Sequence, residues 1–341
     1  MASYNTPVRP IPEQDPVKLY VMHRDSMGFV RDPSAPIGIF DSGIGGLTVT
    51  REIMRAMPNE RLVYFGDTAR LPYGAKSPET VVRFSRQIVR FLRTKGVKAV
   101  VIACNTASSH ALETLAAESD VPVVGVIYAA ALTAVQSTRN GRVGIIGTRG
   151  TVTSEIYRQV IHQMNPELQV FQKACPLFVP LVEEGMFHDS VTEEIASRYL
   201  QELKEKYVDT LVLGCTHYPL IRSTIQRVMG DSVTLVNPAY ETAREVKEIL
   251  GHEGLLNTAA ADAGSPDSPG PASAGVAGNA GSSGASGPAS AGSAADAEGT
   301  QEQSRKYRFY VSDLAANFRD FAAAILPEEV KDTEKIDIEA Y

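Results

Sequence analysis

Ala99-Val-Val-Ile-Ala-Cys104-Asn105-Thr106 and Thr210-Leu-Val-Leu-Gly-Cys215-Thr216-His217 are near-matching frames in distant parts of one chain. Each is a short unbroken apolar run that stops at a thiol and continues in small polar residues able to open a loop or helix. A strand that alternates apolar and polar residues has one wet face, whereas an unbroken run marks a strand covered on both faces, as in a parallel sheet. Further runs of this kind are Ile37 to Phe40, Arg61 to Phe65, Val121 to Val126, Arg142 to Ile146, Gln169 to Gln172 and Ser232 to Val236. Helical periodicity fills the gaps, as in Thr80 to Thr94, where Val81, Phe84, Ile88, Phe91 and Leu92 make one stripe. Alternating β and α units predict an α/β protein of parallel sheets with helices on both faces. Open α/β sheets hold ligands at the carboxyl edge of the strands, which is where both frames put their thiols.

A chain of 341 residues, 43% hydrophobic, is long enough for two domains with their own cores. Its formal charge of -7 argues against a general nucleic-acid or anionic-membrane binder, since both demand a basic surface. The sequence has no apolar run long enough to span a bilayer, and residues 1–36 lack a signal-peptide core, so a cytoplasmic protein is expected. The three cysteines, Cys104, Cys175 and Cys215, have neither the density of a disulfide scaffold nor the spacing of a zinc site. Reduced thiols are therefore available for chemistry.

Residues 1–36 are rich in Pro, Asp and Arg without periodicity and read as a mobile extension, with order beginning at Ile37. Residues 257–304 collapse to Ala, Gly, Ser and Pro, with Val276 the lone branched aliphatic. Such a tract cannot bury enough apolar area to offset its ordering entropy, so it is expected to be disordered. As a flexible coil of about 48 residues it would span roughly 35 to 42 Å. Strand-like sequence resumes at Lys306-Tyr-Arg-Phe-Tyr-Val311, followed by a helix through Phe318, Phe321 and Ile325.

Two thiols presented from two sheet edges suit a reaction that removes a proton from one face of a carbon and returns one to the other. A lone strand-end cysteine is more often a small core residue; the matching frames, each followed by hydroxyl or amide donors, reverse that reading for Cys104 and Cys215. A helix N-terminus just beyond each thiol would lower its pKa. Asn105, Thr106, Thr216 and Ser42 are placed to stabilise a carbanion. In Phe40-Asp41-Ser42-Gly43-Ile44-Gly45-Gly46-Leu47 the glycines permit a tight turn, with Thr48 standing where a dinucleotide fingerprint needs its third glycine. Asp41 there is either a site carboxylate partnering Cys104 across a cleft or the cap of the turn. Leu71-Pro72-Tyr73-Gly74 can offer a phenol and bare amides to a carboxylate, or be a plain surface loop. His217 is placed to exchange a proton with Cys215. A metal site on Cys215 and His217 lacks further ligands. Cys175, before a proline, reads as buried and inert. Glu183 is either a site carboxylate or an ordinary exposed acid, and its local sequence favours the latter.

Together these motifs are similar to those of glutamate racemases. The resemblance rests on Asp41-Ser42-Gly-Ile-Gly-Gly, Asp67-Thr-Ala-Arg-Leu-Pro-Tyr73-Gly74, Cys104-Asn105-Thr106-Ala-Ser, Cys175-Pro-Leu-Phe-Val-Pro-Leu-Val-Glu183 and Cys215-Thr216-His217-Tyr-Pro-Leu, with a weaker match at Phe309-Tyr-Val-Ser-Asp313. It implies racemisation of L- and D-glutamate without cofactor or metal, supplying D-glutamate for peptidoglycan. The thiol of Cys104 would act on the D-isomer and that of Cys215 on the L-isomer. Asp41, His217 and Glu183 would assist proton transfer. Asp41, Ser42, Tyr73, Gly74, Asn105, Thr106, Thr216 and His217 would bind substrate.

The resemblance also implies two doubly wound parallel-sheet domains packed face to face with the active site between them. These would be residues 37–129 plus 238–256 and 305–341 around an inserted 130–237. A small-molecule substrate is implied rather than nucleic acid or membrane, and a homodimer is compatible with it. This chain departs from the family at Tyr128-Ala129-Ala130, where Glu-Pro is usual, and in its extension and tract. The competing readings are an aspartate or hydantoin racemase with a different side-chain pocket, or a protein acting on a partner such as DNA gyrase.

Overall fold

The structure, a computed structural model, describes residues 32–258, 305–313, 318–326, 330 and 333–341. Most of the extension and nearly all of the Ala/Gly/Ser tract lie outside the described residues, and with them the expectations of mobility and disorder. Order begins slightly earlier than predicted, with a turn at Asp32 to Ser34 in which Asp32 Oδ1 accepts the Ser34 amide at 2.8 Å.

The apolar runs form two wholly parallel sheets. In the first, β1 (Ile37–Asp41) is central, with β2 (Leu62–Gly66) on one side and β3 (Ala99–Ile102) then β4 (Val123–Gly125) on the other. The second is built on β5 (Arg142–Gly147), flanked by β6 (Gln169–Ala174) on one side and by β7 (Thr210–Gly214) then β8 (Thr234–Val236) on the other. After the tract the chain returns to the first sheet: β9 (Tyr307–Val311) pairs with β2, and β10 (Thr333–Lys335) forms the edge beyond it. Chain order reverses between β1 and β3 in the first sheet and between β5 and β7 in the second. Those two reversals are the switch points where sheets of this kind leave a crevice at their carboxyl edge.

Strand residues alternate between two apolar layers. Ile37, Ile39 and Val101 face the helices Leu47–Ala56 and Pro238–His252, in an apolar core that continues to Leu211 and Leu213 of the second sheet. On the opposite face Phe40, Val63, Phe65 and Ile102 pack under the helix Pro78–Thr94, through its buried Phe84, Ile88 and Phe91. Each such side chain contributes about 1.5–3 kcal/mol when fully buried. That helix starts where Ser77 Oγ accepts the Thr80 amide and Pro78 supplies a preset first turn. The far face of the second sheet carries Val143, Ile145 and Val212 against Ala130, Tyr157 and Ile161. Among the described residues no helix is long and apolar enough to cross a membrane.

Residues on either side of the tract converge. The amide of Asn257 donates to Glu60 Oε1 at 2.8 Å and its side chain to the Asn59 carbonyl, while Lys306 Nζ donates to the carbonyl of Pro58. Buried Lys98 bonds Glu60 at 2.6 Å and also the carbonyls of Pro33 and Leu255. One buried ion pair thus anchors the chain just before β1 and just before the tract.

Candidate active site

Both frames end at the switch points, and the structure brings their residues into one wall. A narrow crevice, too tight in this state to hold a water molecule, is lined by Ala103 and Asn105 from one frame, Leu213, Cys215 and Thr216 from the other, and Thr48 among others. Cys104 and Cys215 are buried, and a charge on one disfavours a charge on the other. Close approach of the halves depends on a glycine: a Cβ on Gly45 would lie 2.4 Å from Thr216 Oγ1 and 2.6 Å from the His217 ring. Thr48 Oγ1 fastens the same contact, donating to the Thr216 carbonyl at 3.0 Å.

The Cys104 side is organised by a carboxyl and a helix start. Cys104 is the cap of the helix Asn105–Glu118; its Sγ accepts the Ala107 amide at 3.4 Å and lies 3.5 Å from Ser42 Oγ. The predicted lowering of its pKa does not occur in this state. Burial and the neighbouring Asp41 push the thiol up to about 12, outweighing the donors from Ser42 and Ala107. Asp41 is not across a cleft from Cys104 but on the neighbouring strand of the same sheet. Its Oδ2 accepts the amides of Gly46 at 2.9 Å and Gly43 at 3.2 Å, so it does organise the glycine turn. Its Oδ1 is buried with no hydrogen-bond partner among the described residues, and burial raises its pKa. A carboxyl in that condition is disposed to hold a proton.

The Cys215 side is organised by an imidazole and an acid. No α-helix begins at Thr216, contrary to expectation: Tyr218–Ile221 is a 3-10 turn, and the helix Arg222–Met229 starts only after it. In place of a helix start, His217 Nδ1 lies 3.8 Å from Cys215 Sγ and 3.5 Å from Thr216 Oγ1, and Nε2 lies 3.0 Å from Glu183 Oε1. Burial alone would favour neutral imidazole, but Cys215 and Glu183 together lift the His217 pKa to about 10. Glu183, read from its local sequence as an ordinary exposed acid, is 26% exposed and bound to His217.

The remaining residues are distributed as follows. Thr106 Oγ1 lies 2.8 Å from Thr148 Oγ1 and 3.4 Å from Thr151 Oγ1, across the two sheets. Asn105 Oδ1 accepts the hydroxyl of buried Tyr157 at 2.7 Å, which leaves the amide nitrogen as its free donor end. A Cβ on Gly74 would meet Thr148 at 2.6 Å. The Tyr73 phenol is not offered to the crevice, since it donates to Asp67, and burial with that carboxylate keeps its pKa well above the ordinary value. Cys175 is fully buried, its carbonyl accepting the Tyr218 hydroxyl at 2.9 Å. Among the described residues no cluster of His, Cys, Asp and Glu suited to a metal ion occurs.

Thr148, Thr151 and Tyr157 escaped the sequence reading. A signal was available for the first two, since Gly147-Thr148-Arg-Gly-Thr151 follows β5 at the same edge as the two thiol frames. Tyr157, inside a helix, gave none.

Two doubly wound parallel sheets, each with a thiol at its switch point, define an α/β protein whose class the family comparison supplies. The chain belongs to the Asp/Glu/Hydantoin racemase family, whose sequence profile matches residues 37–246. It is 56% identical over 224 residues to the glutamate racemase of Geobacter metallireducens, which covers 66% of this chain and 83% of that protein. Among solved structures, a glutamate racemase isoform from Bacillus anthracis aligns with a TM-score of 0.73 at 33% identity, covering 89% of this chain and 97% of the other. The Francisella tularensis glutamate racemase in complex with D-glutamate aligns with the same TM-score and identity, covering 91% and 100%.

Proposed function

We propose that this racemase interconverts L- and D-glutamate by a two-thiol mechanism. The observation that carries the reading is the placement of Cys104 and Cys215 at the two switch points, each with its own proton partner. In the L-to-D direction Cys215 takes the α-proton, and the Cys104 thiol delivers its own proton to the opposite face of the α-carbon. The C–H bond to one face breaks, a C–H bond to the other forms, and the enzyme is left with its two protonation states exchanged. The high pKa of Cys104 suits the donor role, and a protonated His217 donates through Nδ1 toward Cys215 and through Nε2 to Glu183. In the D-to-L direction Cys104 is the base, and the adjacent Asp41 carboxyl supports it best when uncharged.

Carbanion charge at the α-carboxylate needs fixed donors, because proton transfer alone is worth about 10² to 10⁴ in rate. Ser42, the Asn105 amide, Thr106, Thr216 and the hydroxyls of Thr148 and Thr151 supply them in this reading. Tyr73 contributes by holding Gly74 rather than through its phenol. The same reading divides the chain into residues 37–129 plus 238–256 and 305–341 around an inserted domain at 130–237. It also places the protein in the cytoplasm, where D-glutamate would feed peptidoglycan synthesis.

The test is a chiral assay of the purified full chain on L-glutamate, L-aspartate and a hydantoin, without added cofactor. Racemisation of glutamate far ahead of the others supports the reading. Preference for aspartate or the hydantoin assigns the chain to another member of its family.

A further inference from the structure

We propose that Asp67 is a positioning residue for the Tyr73-Gly74 turn, and that through Ser312 it makes the segment following the Ala/Gly/Ser tract a working part of the site. The inference rests on the glutamate reading above. Asp67 is fully buried and joins two stretches of chain: from its own turn it accepts the Tyr73 phenol and Arg70 Nε at 2.8 and 3.0 Å on its two oxygens, and from beyond the tract the Ser312 hydroxyl at 2.8 Å. Ser312 Oγ in turn accepts the Ala69 amide at 2.8 Å, and the amide of Asp313 donates to Thr68 Oγ1 at 2.9 Å. Arg70 reaches onward to Glu339 at 3.0 Å. The turn that follows β2 is thus tied at several points to residues that lie beyond the tract.

The consequence runs inward. Tyr73 is 1% exposed and fixed by Asp67, so Gly74 is held against Thr148, where there is no room for a Cβ. Thr148 bonds Thr106, two residues after Cys104. A surface turn left to itself samples many conformations. Here a buried carboxylate with hydroxyl and guanidinium donors fixes one of them, and charge-assisted bonds of this kind are the strong ones.

Steady-state kinetics on L-glutamate with the full chain test this, alongside hydrogen exchange of the amides of residues 71–76 without substrate. Ser312→Ala should raise KM about tenfold with kcat little changed, the loss expected for one buried hydrogen bond to a charged group. It should also speed exchange across the turn. Asp67→Asn should do both more strongly, Ser312→Thr should restore the wild-type values, and Lys335→Ala, which removes only the exposed pair with Asp313, should leave KM unchanged. Wild-type KM together with wild-type exchange in Ser312→Ala and Asp67→Asn overturns the proposal. A wild-type chain inactive on glutamate overturns the functional reading instead, while the exchange data still decide whether Asp67 fixes the turn.

Discussion

Cys104 and Cys215 end near-identical sequence frames, yet the fold gives them different surroundings. Cys104 caps a helix beside a buried carboxyl and a serine, and its pKa is pushed up to about 12. Cys215 directly follows β7, ahead of a 3-10 turn, beside an imidazole that is itself held by Glu183. The contrast teaches that the pair is chemically handed. One thiol is set to keep its proton, and the other has a protonated imidazole for its neighbour.

The strongest way to break that comparison is to remove either sulfur. Cys104→Ser and Cys215→Ser should each cost about 10³-fold or more in inversion rate, because a serine hydroxyl is a far weaker acid and base than a thiol. Circular dichroism should stay native, since the change is nearly isosteric. Next in size is the buried Lys98–Glu60 pair. Lys98→Met should destabilise the fold by about 3–5 kcal/mol in denaturant titration, because it strands a buried carboxylate.

The His217 relay sharpens the comparison. His217 carries its proton below about 10, so L-to-D turnover should fall as pH rises through that value. In His217→Asn this limb should vanish, and kcat for L-to-D turnover should drop about 10- to 100-fold more than kcat for D-to-L, with the KM values moving so that kcat/KM stays equal in the two directions, as an equilibrium constant of one requires. Equal losses of kcat in both directions would contradict the handed arrangement. The smallest effect is expected from the tract. Its two ends are anchored on neighbouring residues, Asn257 at Asn59 and Lys306 at Pro58, so replacing residues 259–304 by a short Gly-Ser linker should leave kcat within about twofold.

How far the sequence could be read follows from the same physics. Strands covered on both faces announce themselves as apolar runs, so most of β1 to β8 were legible with ends off by a residue or two; the half-exposed edge strand β6 and the alternating β9 were legible from their apolar and aromatic positions alone. The polar edge strand Thr333–Lys335 carries no such run, and nothing in it distinguished strand from loop. Residue types at the strand ends were legible because switch-point chemistry sits next to the strands that present it. Partnerships were not. The bond between His217 and Glu183 joins residues far apart in the chain, and the bonds from Thr106 to Thr148 and from Asn105 to Tyr157 cross between the sheets. The pKa of Cys104 was misjudged for a related reason: the helix start was visible in the sequence, whereas the depth of burial that outweighs it was not.

The central claim, one base on each face of the α-carbon, is tested most directly by deuterium incorporation from heavy water into each glutamate enantiomer. Wild type should exchange and invert both. Cys104→Ser should still exchange the α-proton of L-glutamate while failing to invert it, and Cys215→Ser should do the same with D-glutamate. Variants that lose exchange of both enantiomers equally, or that invert at the wild-type rate, would contradict the account.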